Sequence, residues 1–249
     1  MKRQHLRLGA LLLCAVILTG CGKAPTPDAP SPTTSVTPSA PTTTTTTTQP
    51  PLPDNPKDFA ALQAENPETV AWIQVPDTII DFPVMQSGEN TPEDFYLDHN
   101  PKGEKDRNGS IYIQRYNRAD FSDPNTILYG HNMSGGKMFG AIHKFKKAAY
   151  FEEHEYLYVY LPGHVLTYRI YALFDFSSQH LLWSYDFNTE EGYQKFINKT
   201  LNPKTYNRLV REGVTPTTAD RVITLSTCQN TGDGRLLLVA VLESDTPTK

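Results

Sequence analysis

Three residues in this chain could together carry acyl chemistry: a cysteine, an arginine seven positions beyond it and a histidine far upstream. Cys228 ends a strand-like run, Ile223-Thr224-Leu225-Ser226-Thr227-Cys228, and Arg235 opens the next, Arg235-Leu236-Leu237-Leu238-Val239. The linker between them, Gln229 to Gly234, is so short that the two strands must lie side by side, bringing thiol and guanidinium together. A guanidinium there can stabilise a thiolate, bind a carbonyl oxygen or hydrogen-bond a developing oxyanion. The bland alternative is a strand arginine with a solvated head. A thiol nucleophile also needs a proton partner, because the thiolate is the reactive form. Among His99, His131, His143, His154, His164 and His180, only His131 directly follows a strand-like run, Ile127-Leu128-Tyr129, with Gly130 allowing a sharp exit that aims the ring. Taken singly, each of these residues also has an ordinary structural reading.

The cysteine count gives Cys228 its weight. Of three cysteines, Cys14 and Cys21 fall in the N-terminal stretch, so the remainder keeps one thiol with no disulfide partner. A buried cysteine acting as a small hydrophobe is the competing explanation. Lys2, Arg3 and Arg7 precede an apolar stretch from Leu8 to Leu18, which is shorter than the roughly 20 residues of a membrane span and reads as an export signal. Leu18-Thr19-Gly20-Cys21 resembles the lipobox of bacterial lipoproteins, in which the cysteine receives a diacylglycerol and becomes the mature N-terminus. Two acyl chains suffice for stable membrane attachment. An ordinary signal peptide or an uncleaved helix is the alternative. Residues 22–56, dominated by Thr, Pro, Ser and Ala, cannot bury enough surface to offset ordering and are expected to form a disordered tether.

These segments divide the chain into a signal, 1–21, a tether, 22–56, and one folded domain, 57–249. A net charge of -4 leaves no basic face for nucleic acid, and abundant Tyr, Phe and β-branched residues lean the domain toward strands. Short runs such as Val70 to Val75, Ile79 to Val84, Ser110 to Ile113, Thr126 to Tyr129 and Tyr156 to Tyr160 are bounded by turn-forming residues. Val165 to Phe176 follows Pro162-Gly163-His164 and should close a hairpin. A short helix is expected over 57–66, a longer one after Asn188 or Thr189, and a helical turn over 204–211. With no βαβ alternation, the pattern predicts a mainly β fold, a closed or nearly closed barrel with peripheral helices.

These segments together resemble the sortases, and specifically the class B branch. The resemblance is carried by Thr224 to Cys228 (TLSTC), the downstream Arg235 and Asn125 to Met133 (NTILYGHNM). It extends through Ala71-Trp72-Ile73, Ile80 to Val84, Phe95 to His99, Gly109 to Tyr112 and Met138-Phe139, in the family's order. It implies an eight-stranded barrel with an N-terminal helix and a helical insertion before the cysteine strand. It further implies a cysteine transpeptidase acting on sorting peptides of the Leu-Pro-x-Thr-Gly or Asn-Pro-x-Thr-Asn kind, borne by a surface protein or pilin. Cys228 would attack the threonine carbonyl, His131 would shuttle the proton, and Arg235 would hold the oxyanion. The acceptor would be an amine of a peptidoglycan precursor or a pilin lysine, and neither metal nor cofactor is called for. The resemblance also puts Ser226, Thr227, Tyr129, Asn132 and Gln229 along the peptide groove, although strand hydroxyls, a packed tyrosine and a turn asparagine are equally ordinary.

The chain departs from its relatives in several places. Gln229 stands where an acidic residue is common, the loop before Arg235 is short, and Gln114 replaces a frequent Asp. A lipobox at Cys21 stands in for the usual transmembrane anchor, so the expected location is the outer face of a Gram-positive cytoplasmic membrane. Two other readings remain open: a non-catalytic lipoprotein that binds peptides or cell-wall fragments, and a hydrolase using the same cysteine.

Overall fold

The computed structural model describes residues 51–230 and 232–249. The expected signal, Cys21 and most of the expected tether therefore lie outside the described residues. The last residues of that tether stretch are held on the barrel. Asn55 donates to the Leu161 carbonyl at 2.8 Å and to the Thr248 hydroxyl at 3.1 Å, and the Lys249 amide donates to the Pro53 carbonyl.

The elements run in chain order as α1 (Phe59–Glu65), β1 (Thr69–Gln74), β2 (Asp81–Gln86), β3 (Ile111–Ile113) and β4 (Asn125–Tyr129). A tiny ribbon of β5 (Asn132–Met133) and β6 (Lys137–Met138) leads to a 3₁₀ segment, Phe139–Lys146, and to α2 (Ala148–Glu153). Then come β7 (Tyr156–Leu161), β8 (His164–Phe176), α3 (Leu181–Ser184), α4 (Glu190–Leu201), β9 (Arg208–Val210), β10 (Val222–Cys228) and β11 (Arg235–Pro247). The sheet order is β11-β10-β4-β3-β2-β1-β7-β8, and β11 also pairs with β8, so eight strands close into a barrel with β9 attached outside to β8. None of the helices among the described residues is long and apolar enough to cross a membrane.

Burial explains the apolar residues Val222, Ile223 and Leu225 of β10 and the unbroken apolar run Leu236 to Ala240 of β11. Ile223, Leu225, Leu236 and Leu238 point into the barrel core, while Val222, Leu237 and Val239 pack in a second cluster with Tyr193, Phe196 and Ile197 of α4. A strand covered on both faces needs apolar residues on both. Helix α4 starts where the sequence indicates: the Thr189 hydroxyl accepts from the Gly192 amide, and Glu190 and Glu191 occupy the first turn, where the helix dipole favours them.

One expected element is different. Residues 204–211 contain a strand, not a helical turn, because Arg208–Val210 pairs antiparallel with Phe174 to Ala172 of β8. The next residue, Arg211, is buried and donates to the carbonyls of Ile170 and Phe151 and to the Glu152 carboxylate, so tertiary contacts override local propensity there.

Candidate active site

Cys228 is the last residue of β10 and the only exposed one of that strand. It is a free thiol. Its register partner in the antiparallel pair is Arg235, first residue of β11, and the Arg235 Nη1 donates to the Cys228 Sγ at 2.8 Å. The connecting loop is tied off by two bonds from Gln229: its amide donates to the Gly234 carbonyl at 3.0 Å, and its side chain donates to the Arg235 carbonyl at 3.2 Å. Gly232 supplies the positive φ of 76° that so tight a return requires.

His131 reaches the same end of the barrel through a different pairing. Strands β4 and β10 run parallel with Tyr129 opposite Ser226, so His131 lies two residues past Tyr129 just as Cys228 lies two past Ser226. The Gly130 amide donates to the Ser226 carbonyl at 3.2 Å and the Thr227 hydroxyl donates to the Gly130 carbonyl at 2.9 Å, extending the contact beyond the strand. The half-buried His131 ring is oriented by its Nε2, 2.6 Å from the Leu97 carbonyl. A carbonyl can only accept, so Nε2 carries a proton and Nδ1 is left for proton transfer. No hydrogen bond joins His131 to Cys228 among the described residues.

The other expected groove residues divide by burial. Ser226 and Thr227 are buried, and the Thr227 hydroxyl is committed to Gly130. The Tyr129 ring stacks on Tyr112, and its hydroxyl is buried with no partner. Burial drives its phenol well above the ordinary range, with the neighbouring Tyr112 adding to the rise and the Arg235 charge opposing it. Tyr129, Ser226 and Arg235 line a pocket of about 80 Å³ with Phe176 and His180. On the other side of the thiol, Asn132 donates to the Asn230 side chain at 2.7 Å. Gln114, the departure noted above, lies 2.8 Å from the Nε2 of His180 through its side-chain oxygen and so ties the segment before α3 to the barrel.

His143 is the residue that sequence reasoning left without a role. It projects from the 3₁₀ segment and donates through Nε2 to the Cys228 carbonyl at 3.0 Å. Its Nδ1 is buried without a partner. Burial lowers the affinity of this ring for a second proton, and the bond to the Cys228 carbonyl only partly opposes that. His143 thus holds the nucleophile's backbone as a neutral imidazole. Its separation from Cys228 of 85 residues leaves no local sequence signal for the contact.

The sequence profile of the sortase domain matches residues 73–243. The chain is 34% identical over 182 residues to sortase B of Listeria monocytogenes, covering 71% of this chain and 70% of that protein. It is 27% identical to sortase B of Staphylococcus aureus over 172 residues, covering 69% and 68%. Its fold is similar to that of Clostridium perfringens sortase B, with a TM-score of 0.67 and 32% identity across 75% of this chain and 100% of that one. It is also similar to a Staphylococcus aureus sortase B–substrate complex, with a TM-score of 0.65 and 26% identity across 75% and 84%.

Proposed function

The chain belongs to the sortase family of cysteine transpeptidases, on its class B branch, and we propose that it cleaves the sorting signal of a surface protein or pilin and transfers the acyl group to an amine. In this reading the Cys228 thiolate attacks the carbonyl carbon of the signal's threonine. The C–N bond breaks, His131, as the imidazolium carrying the proton lost by the thiol, protonates the departing amine, and the acyl group remains on sulfur as a thioester. Arg235 holds the oxyanion of the tetrahedral intermediate. An amine of a peptidoglycan precursor or a pilin lysine then displaces the sulfur, with His131 taking the proton. Tyr129 and Ser226 face the peptide in the pocket beside Arg235, while Thr227, Gln229 and Asn132 act on the groove's walls.

The observation that carries this reading is the 2.8 Å contact between the Arg235 guanidinium and the Cys228 sulfur, at the one exposed position of β10. A structural cysteine would be buried, and a solvated arginine would not be folded back on a sulfur. Incubating the purified full-length chain with sorting peptides of both kinds and reading intact mass tests it. The reading expects a thioester adduct that Cys228→Ala abolishes; a folded chain that forms no adduct with any of them overturns it.

Sortases work at the cell surface, and the N-terminal sequence supports a lipid anchor for this one. Residues 1–21 would serve as the signal, Cys21 would carry the diacylglycerol, and residues 22–56 would tether the catalytic domain, residues 57–249, to a Gram-positive membrane. Cys21→Ser is then expected to leave the chain unlipidated, and an unchanged mass of the processed protein would refute the anchor.

A further inference from the structure

Two recesses flank the Cys228–Arg235 pair, and they differ in chemistry. The small pocket lies on the Arg235 side, among Tyr129, Phe176 and His180. Cys228 itself borders a separate polar cleft of about 670 Å³ that shares no lining residue with the small pocket. His143, with its unpartnered Nδ1, lines this cleft together with Lys144, Lys147, Asn230 and the turn at Gly135 and Gly136. Among the described residues no carboxylate lines it. Neither Lys144 nor Lys147 enters an ion pair among the described residues, whereas five other lysines do. Lys146 adds a third positive charge that acts on His143. One acid, Asp175, opposes it there; it keeps its charge while accepting two hydrogen bonds from the Asn207 side chain and one from its amide.

Acyl transfer needs two approaches to one sulfur. The acyl donor must lie on the side where Arg235 can reach its carbonyl, so the second substrate has the cleft. We propose that this cleft binds the acyl acceptor, and that the acceptor's amine is carried on an acidic molecule with carboxylate or phosphate groups close to it. The inference rests on the acyl-transfer reading above and narrows it by charge. Lys144 and Lys147 line the cleft without a carboxylate partner, the Lys144 ammonium lying 6.0 Å from the Tyr150 ring, and their charge attracts an anionic acceptor and repels an amine set among basic residues. The acceptor's neutral nitrogen attacks the thioester carbonyl, the new C–N bond forms, and the C–S pair returns to Cys228 as thiolate. The proton lost by nitrogen passes to His131.

The test uses the purified full-length chain, a sorting peptide that forms the thioester, and four acceptors sharing a Gly-Gly amine end. These are Gly-Gly-amide, Gly-Gly-Asp-Asp, Gly-Gly-phosphoserine-amide and Gly-Gly-Lys-Lys-amide, and mass spectrometry reads both the thioester and the transfer product. The acidic acceptors are expected to exceed the neutral one in kcat/KM for transfer, and the basic one to fall below it. The Lys144→Glu/Lys147→Glu variant should lower transfer to the acidic acceptors by roughly tenfold or more, since each near-surface charge contributes modestly. The preference should shrink as salt rises from about 0.05 to about 0.5 M. Comparing the aspartate and phosphoserine arms tells whether carboxylate or phosphate is the better partner. A thioester that forms but transfers equally to all four acceptors, or preferentially to the basic one, overturns this inference alone. Failure to form any thioester overturns the underlying reading as well.

Discussion

Gly130→Ala should damage the site more than the fold. Gly130 joins β4 to His131, and a Cβ built there would lie 2.5 Å from the Cδ1 of Ile111 and 2.7 Å from two ring carbons of Phe139. Ordinary carbon contacts are about 3.5–4.0 Å, so the methyl overlaps both neighbours by roughly an ångström. Ile111 and Phe139 are both buried and cannot swing into solvent. Overpacking of this kind costs about 1–3 kcal/mol. At about 2–4 °C per kcal/mol for a domain of this size, Tm should fall by about 2–12 °C. The strain has one cheap outlet, displacement of residues 130–133, which would break the Thr227 and Ser226 bonds to Gly130 and carry His131 with it. Misplacing a reacting group by about 1 Å can cost about 100-fold in rate. Thermal unfolding and the single-turnover rate of thioester formation at 25 °C, well below the transition, measure the two effects separately. Ile111→Val, which deletes the atom at 2.5 Å, should recover part of both losses in the double variant. A Gly130→Ala protein with wild-type Tm and wild-type acylation would refute the argument that close packing aims His131.

Two further variants probe the same site. Arg235→Lys keeps the charge but loses the planar fork, and thioester formation should drop by about 10²–10³-fold, as for loss of an oxyanion donor; a loss below threefold in a quenched-reaction assay would remove Arg235 from that role. His143→Gln keeps a donor for the Cys228 carbonyl and removes a titrating group. Because burial holds the His143 ring below its ordinary value in the fold, the neutral form is stabilised above about pH 6.5 and that stability is lost as pH falls through the lowered folded value. The Tm of wild type relative to His143→Gln should therefore decline as pH falls below about 6.5, and parallel Tm curves would contradict it.

What was readable in the sequence follows from how local each contact is. The Cys228–Arg235 pair was legible because a six-residue loop leaves two strands no alternative to adjacency, and their register confirms it. The barrel class was legible from short β-rich runs, and the α4 start from its cap. The nearness of His131 depends on a parallel pairing between strands about 100 residues apart, which composition alone does not encode. The segment over 139–146 gives no α-helical pattern because its buried Phe139, Ile142 and Phe145 recur every three residues, the period of a 3₁₀ helix. Strand β9 is too short, at Arg208–Val210, for an alternating pattern to show; pairing with β8 and the buried Arg211 impose the extended form.

Whether Cys228, Arg235 and His131 act on one substrate carbonyl can be seen in a crystal structure of the Cys228→Ala chain with a bound sorting peptide. The threonine carbonyl oxygen should lie about 3 Å from the Arg235 guanidinium, with the scissile nitrogen turned toward His131 and the peptide chain in the recess beside Tyr129. A peptide ordered elsewhere on the barrel, or one bound here with Arg235 turned away from its carbonyl, would contradict it.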